Sequence, residues 1–512
     1  MTVACRSVGC LVMLVALGCP GPAVEAPRPA APADVAVEPP PPAPSAVAGR
    51  RCLGLALGTN FGCLLVEGGT VRCWGRADDG QLGEGAPSPA RCRSGPCRTV
   101  PVPVAGLDDA AQVVAGAFHA CALRTGGTVC CWGRNDRGQI GDGTTVTRWA
   151  PAAVEGLPEA GVVELAAGGD HTCARDAQGG VWCWGANDAG ELGDGMTEER
   201  HRPVAVVGLD GRATQVAAAA GVSCAVLDDV TARCWGNDDF GTLGDGGPRP
   251  RPSQLREPDG RPVRVLGLER VRRIVPGPQH ACALLEDSTV ACWGHNAFGE
   301  VGDGTEEQRR APVPVPDLNG VVQVALTNYQ TCALLADGTA RCWGIQDAAQ
   351  LGPYECPRPP DRSIDSGSPS PRCRRPTPVA EREDLVEIAF GSFWSCQRAR
   401  DGAVVSCQGS GDDGTVGDAG RPTLNAPATL FPPPYEAPAL LTIPLPANAT
   451  CGRGALLLDG WAILDYPVER RPVPPGRHAV EFLSENGCAG AGTLEVDLVP
   501  GEERVLDPAA AR

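Results

Sequence analysis

Pairs of cysteines ten residues apart, each followed by Trp-Gly, are the residues of this chain best suited to covalent chemistry. Thiols in such pairs can form a disulfide, bind a metal or act as a redox couple. A seventh, altered copy has one residue more between its cysteines and Gln408 in place of the tryptophan. The pairs are Cys63 with Cys73, Cys121 with Cys131, Cys173 with Cys183, Cys224 with Cys234, Cys282 with Cys292, Cys332 with Cys342, and Cys396 with Cys407. A unit that recurs every 50 to 64 residues has about the length of one propeller blade.

Metal binding does not account for these residues. A spacing of ten differs from the short spacings that are typical of zinc ligands. His119, His171 and His280 share one position of the repeat, but other copies place Phe, Val, Gln or Trp there, so we expect hydrogen-bonded core histidines. The Gly-Asp-Gly loops lack the ligand series of a calcium-binding loop, and turn chemistry explains their composition. No metal and no cofactor are therefore expected.

The elements that carry the cysteines must place them opposite each other, and a β-hairpin does so. A Gly-containing turn such as Asp337-Gly338 lies midway between the cysteines and is a strong hairpin signal. Directly opposed residues of antiparallel strands bring their Cβ atoms to about 5 Å, which suits a disulfide. A short apolar strand precedes each hairpin, and a glycine-rich loop and a Pro-Val-rich strand follow it. Three to four strands per copy, seven times, predict a seven-bladed β-propeller.

The repeat also resembles a known family. The stretch from His171-Thr172-Cys173 through Gly195 carries the pattern H-x-C-A, V-x-C-W-G and N-D-x-G-x-L-G-D-G. This pattern is similar to the regulator of chromosome condensation repeat, and the likeness covers roughly residues 51–436. The resemblance implies a seven-bladed propeller. We do not carry over the GTPase exchange activity of that family, because it takes place in the nucleus and this chain has features of an exported protein.

The first residues resemble an export signal. Arg6 precedes the apolar run from Val8 to Leu17, which is too short to span a bilayer but suits a signal peptide. The sequence Ala16-Leu17-Gly18-Cys19 resembles a bacterial lipobox, which implies a lipid on Cys19. Pro20 in the next position then implies sorting to the outer membrane. An ordinary signal peptide that is cleaved a few residues later is the alternative.

Changes in composition predict the order of domains. Residues 1–18 form the signal peptide with its lipobox, 19–49 a Pro/Ala-rich tether, and 50–436 the propeller. Residues 437–512 alternate in the manner of strands, and the segment Pro474-Pro475-Gly476-Arg477-His478-Ala479-Val480 resembles a PEGA-type domain. The predicted fold class is all-β, a seven-bladed β-propeller followed by a small immunoglobulin-like β-sandwich.

The other cysteines agree with an oxidising compartment. Of the 25 cysteines, three (Cys5, Cys10 and Cys19) lie in the leader, which leaves 25 − 3 = 22, an even number. Such a density in an exported chain favours disulfides. Besides the repeat pairs, proximity in sequence suggests Cys92 with Cys97, Cys356 with Cys373, and Cys451 with Cys488. Cys52 and Cys130 remain, and their pairing is left open.

Insertions distinguish three copies from the others. Copies one, four and six carry extra residues between the glycine-rich turn and the Pro-Val strand, and equivalent loops of a propeller open on the same face. These insertions are rich in arginine, although the net charge of the whole chain is −17. Their candidate binding residues are Arg91, Arg93, Arg98, Arg249, Arg251, Arg256, Arg358, Arg372, Arg374 and Arg375. They predict an anionic partner, a protein or an acidic polysaccharide of the cell envelope. Solvated insertions without a ligand are the alternative.

The sequence does not indicate an enzyme or a nucleic-acid-binding protein. A net charge of −17 disfavours the neutralisation of phosphates. Ser223 and Ser395 lie within predicted strands, and paired carboxylates such as Asp78-Asp79 lie in repeat loops, so no catalytic set emerges. The tryptophans that follow the second cysteines are expected to pack between blades.

Three functional classes remain. The favoured one is a monomeric, non-enzymatic binding or scaffolding protein, exported and held at the bacterial outer membrane or cell surface by an N-terminal lipid. The second is a protein inhibitor of an enzyme, because a secreted bacterial propeller of the resembled family blocks β-lactamases; an exposed aromatic cluster on one face would favour this class. The third is a polysaccharide-active enzyme, whose sign would be carboxylates, Tyr or His converging at the central channel.

Overall fold

Every regular element that the structure describes is a β-strand. The structure is a computed structural model. It describes residues 51–92, 95–247, 260–345, 372–379, 384–392, 394–400 and 405–409, and the strands between 424 and 505. In this part of the chain, no helix is long and apolar enough to cross a membrane. The predicted signal peptide, Cys19 and the tether lie outside the described residues.

The strands from β1 to β29 form seven antiparallel sheets, one for each copy of the repeat. Each sheet takes four consecutive strands, which we name A to D in chain order, and the first sheet has one short extra strand, β4, in its insertion. The first three blades contain β1 (Cys52–Leu57), β2 (Phe61–Val66), β3 (Thr70–Arg76), β4 (Arg91–Cys92), β5 (Gly95–Pro103), β6 (Ala110–Ala115), β7 (His119–Arg124), β8 (Val129–Gly133), β9 (Arg148–Ala153), β10 (Val162–Ala167), β11 (His171–Asp176), β12 (Val181–Gly185) and β13 (Arg200–Ala205).

The other four blades repeat the same order of strands. They contain β14 (Ala213–Ala219), β15 (Val222–Leu227), β16 (Ala232–Gly236), β17 (Val263–Arg264), β18 (Val271–Pro276), β19 (His280–Leu285), β20 (Val290–Gly294), β21 (Arg309–Pro314), β22 (Val321–Leu326), β23 (Gln330–Leu335), β24 (Ala340–Ile345), β25 (Arg372–Pro378), β26 (Leu385–Phe390), β27 (Trp394–Ala399), β28 (Val405–Gly409) and β29 (Leu424–Thr429). The predicted seven-bladed propeller is therefore present.

Strands B and C of each blade place the paired cysteines in direct opposition, as predicted. In the third blade the two opposed Cα atoms are 4.1 Å apart, and the separations in all seven pairs are 4.0 to 4.1 Å. Each of these cysteines is almost completely buried, so the bridges lie inside the blades. The disulfides join Cys63 with Cys73, Cys121 with Cys131, Cys173 with Cys183, Cys224 with Cys234, Cys282 with Cys292, Cys332 with Cys342, and Cys396 with Cys407. Each of the seven repeat pairs is thus joined within its own hairpin.

Tryptophans that follow the second cysteines pack between blades, and each is fully buried. From the second to the sixth blade their indole nitrogens also donate to a backbone carbonyl in the glycine-rich loop of the preceding blade. Trp184 Nε1 donates to Gln139 O over 3.0 Å, and Trp343 Nε1 to Glu300 O over 2.7 Å. Equivalent bonds join Trp132 to Gln81, Trp235 to Glu191 and Trp293 to Thr242. A buried indole N–H is thereby satisfied, and adjacent blades are joined.

Side-chain amides on the A strands join the blades a second time. The Gln112 amide donates from Nε2 to Leu165 O over 3.0 Å and accepts at Oε1 from Leu165 N over 2.9 Å. It thus pairs with the next A strand as a backbone amide would. The same two bonds join Gln215 to Ile274 and Gln323 to Ile388, and a carboxylate oxygen accepts from the next blade at Glu164 and Glu387.

The predicted core histidines join blades through hydroxyl groups. His171 Nε2 lies 2.8 Å from Ser223 Oγ in the next blade, and that hydroxyl donates to Glu191 O over 2.9 Å. His119 and His280 make the corresponding contacts with Thr172 and Thr331. The rings of His119 and His171 each pack against a glycine that follows the A strand of their own blade. A side chain there would collide with the ring, since a Cβ on Gly116 would lie 2.2 Å from His119 Cε1.

The ring closes where the seventh blade meets the first. Trp74 and Trp394 make an edge-to-face contact with their ring centroids 5.9 Å apart. Trp394 Nε1 donates to Thr59 O over 3.1 Å, and Leu55 N donates to Glu387 Oε1 over 3.2 Å. Each blade takes all its strands from one continuous segment, so closure depends on these contacts between side chains and backbone and not on a strand shared by the two ends.

The remaining cysteines divide into paired and free ones. Cys92 and Cys97 form a disulfide in the first insertion. Cys373 is also disulfide-bonded, but its predicted partner Cys356 lies outside the described residues, as do Cys451 and Cys488. Cys52 and Cys130 are both buried free thiols, so the pairing left open in the sequence does not form.

The C-terminal strands form two further sheets. One pairs β30 with β33 in antiparallel and with β36 in parallel orientation, and the other has the order β32-β31-β34-β35. The predicted immunoglobulin-like packing of the two sheets stays a prediction. These strands are β30 (Ala439–Ile443), β31 (Ala455–Leu458), β32 (Ala462–Asp465), β33 (Val468–Val473), β34 (Gly476–Leu483), β35 (Gly492–Leu498) and β36 (Glu503–Val505).

Candidate binding face

One edge of every blade carries both its A–B and its C–D connection, because consecutive strands run antiparallel. Backbone hydrogen bonds hold the two connections together: Arg134 N donates to Phe118 O over 3.0 Å in the second blade, and His295 N to Gln279 O over 3.0 Å in the fifth. We call the surface formed by these connections the loop face. The insertion of the first blade belongs to its C–D connection and therefore lies on this face, whereas most of the insertions of the fourth and sixth copies lie outside the described residues.

The glycine-rich C–D loops use their polar side chains to fold. Asn135 Nδ2 donates to Thr144 O over 3.0 Å, while Asp142 accepts from Thr144 N over 3.0 Å and from Arg148 Nε over 2.6 Å. Such Asx-type bonds stabilise tight turns. The Asp142 carboxylate of this Gly-Asp-Gly sequence therefore forms an ion pair with Arg148. Within the described ranges, no group of three or more side chains is arranged to hold a metal ion.

Three of the predicted binding arginines in the first and sixth blades pair with acidic neighbours. Arg98 Nε lies 2.9 Å from Glu84 Oε2. Arg374 Nε lies 2.9 Å from Glu306 Oε1 in the fifth blade, and Arg375 Nη1 lies 3.0 Å from Asp317. Ion pairing of this kind reduces the local positive potential that would attract an anion.

Two further arginines of the set are described. Arg91 is exposed on the short strand of the first insertion. Arg372 places its guanidinium carbon 5.0 Å from the centroid of the Phe298 ring and lies at the limit of an ion pair with Glu306, at 4.0 Å. The other predicted residues lie outside the described residues: Arg93, Arg249, Arg251, Arg256 and Arg358.

Aromatic rings from three blades meet on the loop face. His295 contacts Phe240 edge-to-face at 5.1 Å between centroids, Phe298 at 5.9 Å and Tyr329 at 6.1 Å. Phe298 and Tyr329 are 5.0 Å apart. All four rings are only partly buried. We call Phe240, His295, Phe298, Tyr329 and Arg372 the aromatic cluster.

His295 is held in the aromatic cluster by a buried carboxylate. Its Nδ1 lies 2.6 Å from Glu300 Oε1, and Glu300 Oε2 accepts from Phe298 N over 2.9 Å. Burial opposes ionisation of Glu300, but the hydrogen bond from His295 and the proximity of His280 hold the pKa of this carboxyl below its usual value. Glu300 is therefore an anion that accepts the Nδ1 proton of His295. In the neutral tautomer with this proton, Nε2 is an acceptor.

A cleft of about 420 Å³ opens beside the aromatic cluster. It lies between the start of the fifth C–D loop and the segment that leads into β21. The lining residues are His295, Asn296, Ala297, Glu306, Glu307 and Gln308. Clefts of this size, close to aromatic side chains, are common at binding sites.

The sequence analysis missed the aromatic cluster. A signal was present in the loop glycines: Phe240 precedes Gly241 and Phe298 precedes Gly299, whereas copies two and three place Arg or Ala there. Only 4% of the residues are aromatic, so two phenylalanines at one loop position of adjacent copies could have been recognised. Their contact with Tyr329 requires the arrangement of three blades, which no local pattern shows.

Comparisons with known proteins agree with the repeat assignment. Residues 68–123, 126–175, 178–226 and 287–334 match the regulator of chromosome condensation (RCC1) repeat. The chain is 31% identical over 212 residues to the ultraviolet-B receptor UVR8 of Arabidopsis thaliana, a match that covers 41% of this chain and 46% of the receptor. It is also 31% identical over 276 residues to the human E3 ubiquitin-protein ligase HERC2, covering 53% of this chain and 5% of the ligase. The chain spans less than half the length of both relatives.

Solved structures show the same fold. Prp20p from Saccharomyces cerevisiae superposes with a TM-score of 0.60 at 21% identity, over 75% of this chain and 88% of that one. Human WBSCR16 superposes with a TM-score of 0.54 at 21% identity, over 67% of this chain and 85% of that one. Repeat sequence, blade register and superposition agree. Four segments of the chain match the regulator of chromosome condensation (RCC1) repeat, and the chain folds as a seven-bladed β-propeller.

Proposed function

We propose that this chain is an exported, envelope-anchored, non-enzymatic protein that binds a protein partner through its loop face. The aromatic cluster is the observation that carries the proposal. Aromatic side chains and arginine are the residues most often found at the centre of protein interfaces. A partly exposed group of four rings and a stacked guanidinium, next to a cleft, offers such a centre.

The relatives and neighbours support the binding of proteins as a general role. Prp20p binds Gsp1p and histones, and yeast RCC1 has been solved in complex with Kap60. Gsp1p, histones and Kap60 are partners of the yeast proteins and are not assigned to this chain. For this chain the aromatic cluster favours the inhibitor as a special case of protein binding, because capping an enzyme requires an apolar anchor on one face.

Support for export comes from the disulfides and the leader. Seven buried disulfides, one per blade, suit a compartment in which thiols are oxidised. The apolar run before Cys19 suits a signal peptide, and a lipid on Cys19 would anchor the propeller through the tether. Recognition of an acidic polysaccharide by the arginines remains the alternative to a protein partner.

Capture from an envelope extract, followed by direct binding of the purified captured protein, tests the proposal. We expect the variant Phe298→Ser/Tyr329→Ser to bind at least about tenfold more weakly, since loss of interface anchors costs about 2 kcal/mol or more. Val322→Ser is the matched control: this valine is 41% exposed and lies in the sixth blade at the start of its A strand, away from the loop face. Equal binding by the double variant, with unchanged circular dichroism, would refute the proposal.

A further inference from the structure

The cleft beside the aromatic cluster has room for one large side chain of a partner. At about 420 Å³ it is large enough for the end of a long side chain with its hydration. The hydrogen-bonding groups that line it therefore determine which side chain it accepts.

The amide nitrogens that line the cleft already donate within the protein. Asn296 Nδ2 donates to Thr305 O over 3.2 Å and to Glu307 O over 3.0 Å. Gln308 Nε2 donates to Phe240 O over 2.6 Å. These bonds hold the walls of the cleft in place. They also leave these side chains with little capacity to donate to a ligand.

Two lining residues, by contrast, carry groups that can accept hydrogen bonds. In the neutral tautomer of His295 whose Nδ1 donates to Glu300, Nε2 is an acceptor. The Glu307 side chain is 76% exposed, and its ion pair with Arg309, at 3.1 Å, is shared with Asp303, which lies 2.7 Å from Arg309 Nε. Arg309 thus pairs with the carboxylates of both Asp303 and Glu307. Net negative charge therefore remains at the Glu307 side of the cleft.

Glu306 adds little to this charge, because it is paired with Arg374. The chemistry of the cleft is therefore one exposed carboxylate, one imidazole acceptor and a neighbouring wall of aromatic rings. A group that donates several hydrogen bonds in a plane, carries a positive charge and stacks on rings satisfies all three. The guanidinium of arginine has these properties, whereas the ammonium of lysine is a compact, strongly hydrated charge.

We propose that this cleft binds the side chain of an arginine on the protein partner, which lies against the aromatic cluster and donates to Glu307 and to Nε2 of His295. The inference rests on the proposed function, since it names the group of the partner that the loop face recognises. It adds that the recognised residue is basic, although the insertions of the same face are themselves rich in arginine.

Small peptides test the subsite without the partner. The chain has four tyrosines, so the full-length protein labelled with 3-fluorotyrosine gives a simple ¹⁹F spectrum, in which a Tyr329→Phe variant assigns the Tyr329 signal. The probe is N-acetyl-glycyl-arginyl-glycinamide. Two comparison peptides replace the arginine by lysine or by citrulline, and citrulline keeps the shape of the side chain and removes its charge. We expect the arginine peptide to shift the Tyr329 signal saturably, and the citrulline peptide to bind about tenfold more weakly.

Two carboxylate variants locate the interaction. Glu307→Gln should weaken binding of the arginine peptide by about tenfold, because a charge-assisted hydrogen bond is lost. Glu286→Gln is the matched control: Glu286 also pairs with one arginine, Arg270, but lies in the hairpin turn between β19 and β20, at the opposite edge of the blade. It should change nothing.

The inference is overturned if the arginine peptide produces no saturable shift, if citrulline or lysine peptides bind equally well, or if Glu307→Gln has no effect. Such a result would leave the proposed function intact provided that Phe298→Ser/Tyr329→Ser still loses the partner. If the peptide binds as expected but the double variant keeps the partner, the subsite exists and the partner uses another surface.

Discussion

His119 Nε2 lies 2.9 Å from the hydroxyl oxygen of Thr172 in the next blade. That hydroxyl donates its own proton to Gln139 O over 3.1 Å, so it must accept from the histidine. His119 therefore carries its proton on Nε2 and is neutral. The same order of groups occurs at His171 and His280, which makes three neutral, fully buried imidazoles that join neighbouring blades.

These histidines should make stability depend on pH. Burial lowers the pKa of His119 to about 3, with His171 adding to the shift, and burial lowers the pKa of His171 and of His280 to about 4. Because the unfolded chain binds protons more readily, their contribution is complete above about pH 6.5 and is lost as the pH falls toward 4. Each histidine should lower the free energy of unfolding by up to about 1.4 kcal/mol per pH unit in that range.

Urea unfolding at pH 7 and pH 5 measures this effect. His171→Gln is the informative variant, because Gln330 occupies the same position in the sixth blade. We expect it to reduce the difference in unfolding free energy between the two pH values by about 2 kcal/mol. The same pH dependence in wild type and variant would show that His171 is not the group that titrates.

Gly116 should not tolerate a side chain. A Cβ there would lie 2.2 Å from His119 Cε1 and 2.6 Å from Gly168 O, and the backbone oxygen cannot move without the next blade. We expect Gly116→Ala to lower the free energy of unfolding by about 2 to 4 kcal/mol. Gly126→Ala is the control, since an added Cβ meets nothing within 4 Å at this turn residue. Thermal melting should give a lower midpoint for Gly116→Ala than for Gly126→Ala. Equal midpoints would contradict the predicted collision.

Replacing Gln397 should stabilise the protein. This side chain is 1% exposed in the seventh blade, and neither its nitrogen nor its oxygen has a hydrogen-bond partner among the described residues. The first blade has Leu64 at the same position. We expect Gln397→Leu to raise the free energy of unfolding by about 1 to 3 kcal/mol, because an unpaired buried amide is removed.

The paired amide of Gln112 supplies the control for that prediction. Gln112→Leu removes two hydrogen bonds to Leu165 and should lower the free energy of unfolding by about 1 to 2 kcal/mol. Opposite signs for the two Gln-to-Leu changes, measured by urea unfolding, are the expected result. A loss of stability in both would mean that Gln397 is hydrogen-bonded in solution.

The two free thiols should be protected in the folded protein. Burial, together with the charge of Glu387, raises the pKa of Cys52 to about 12, and burial raises the pKa of Cys130 to about 11. Since the thiolate is the reactive form, iodoacetamide at neutral pH should leave both residues unmodified and should alkylate them in urea without a reductant. Peptide mass spectrometry measures the alkylation of both cysteines in the native protein and in urea. A disulfide between Cys52 and Cys130, or modification of the native protein, would contradict this prediction.

The predicted binding of an anionic partner by the arginines can be tested without changing the aromatic cluster. Arg374→Ser/Arg375→Ser removes two ion-paired arginines and keeps Arg372, which stacks on Phe298. If the partner is anionic, this variant should bind it several-fold more weakly at low salt, and the difference should disappear at high salt. Arg270→Ser, at the opposite edge of the fifth blade, is the control. Unchanged binding at every salt concentration would exclude a role for these two arginines.

The fold could be predicted because its determinants are local. The symmetry of Cys173 and Cys183 about a turn sets the register of a hairpin, and the repeated unit then sets the number of blades. The contacts between blades could not be predicted in the same way. Gln112 and Leu165 are far apart in sequence, and the pair is specified only when two A strands lie side by side. An even number of cysteines likewise did not require that Cys52 and Cys130 pair, because burial alone protects a thiol.

Local pairing of the cysteines has a consequence for biogenesis. In each of the seven blade bridges the second cysteine follows its partner by ten or eleven residues, and in all of them except Cys121–Cys131 it is the next cysteine to emerge during synthesis or secretion. An oxidase that joins consecutive thiols in order of appearance would produce these pairs without reshuffling wherever no free thiol comes first. Cys52, the cysteine before Cys63, and Cys130, immediately before Cys131, are two free thiols that could divert that order.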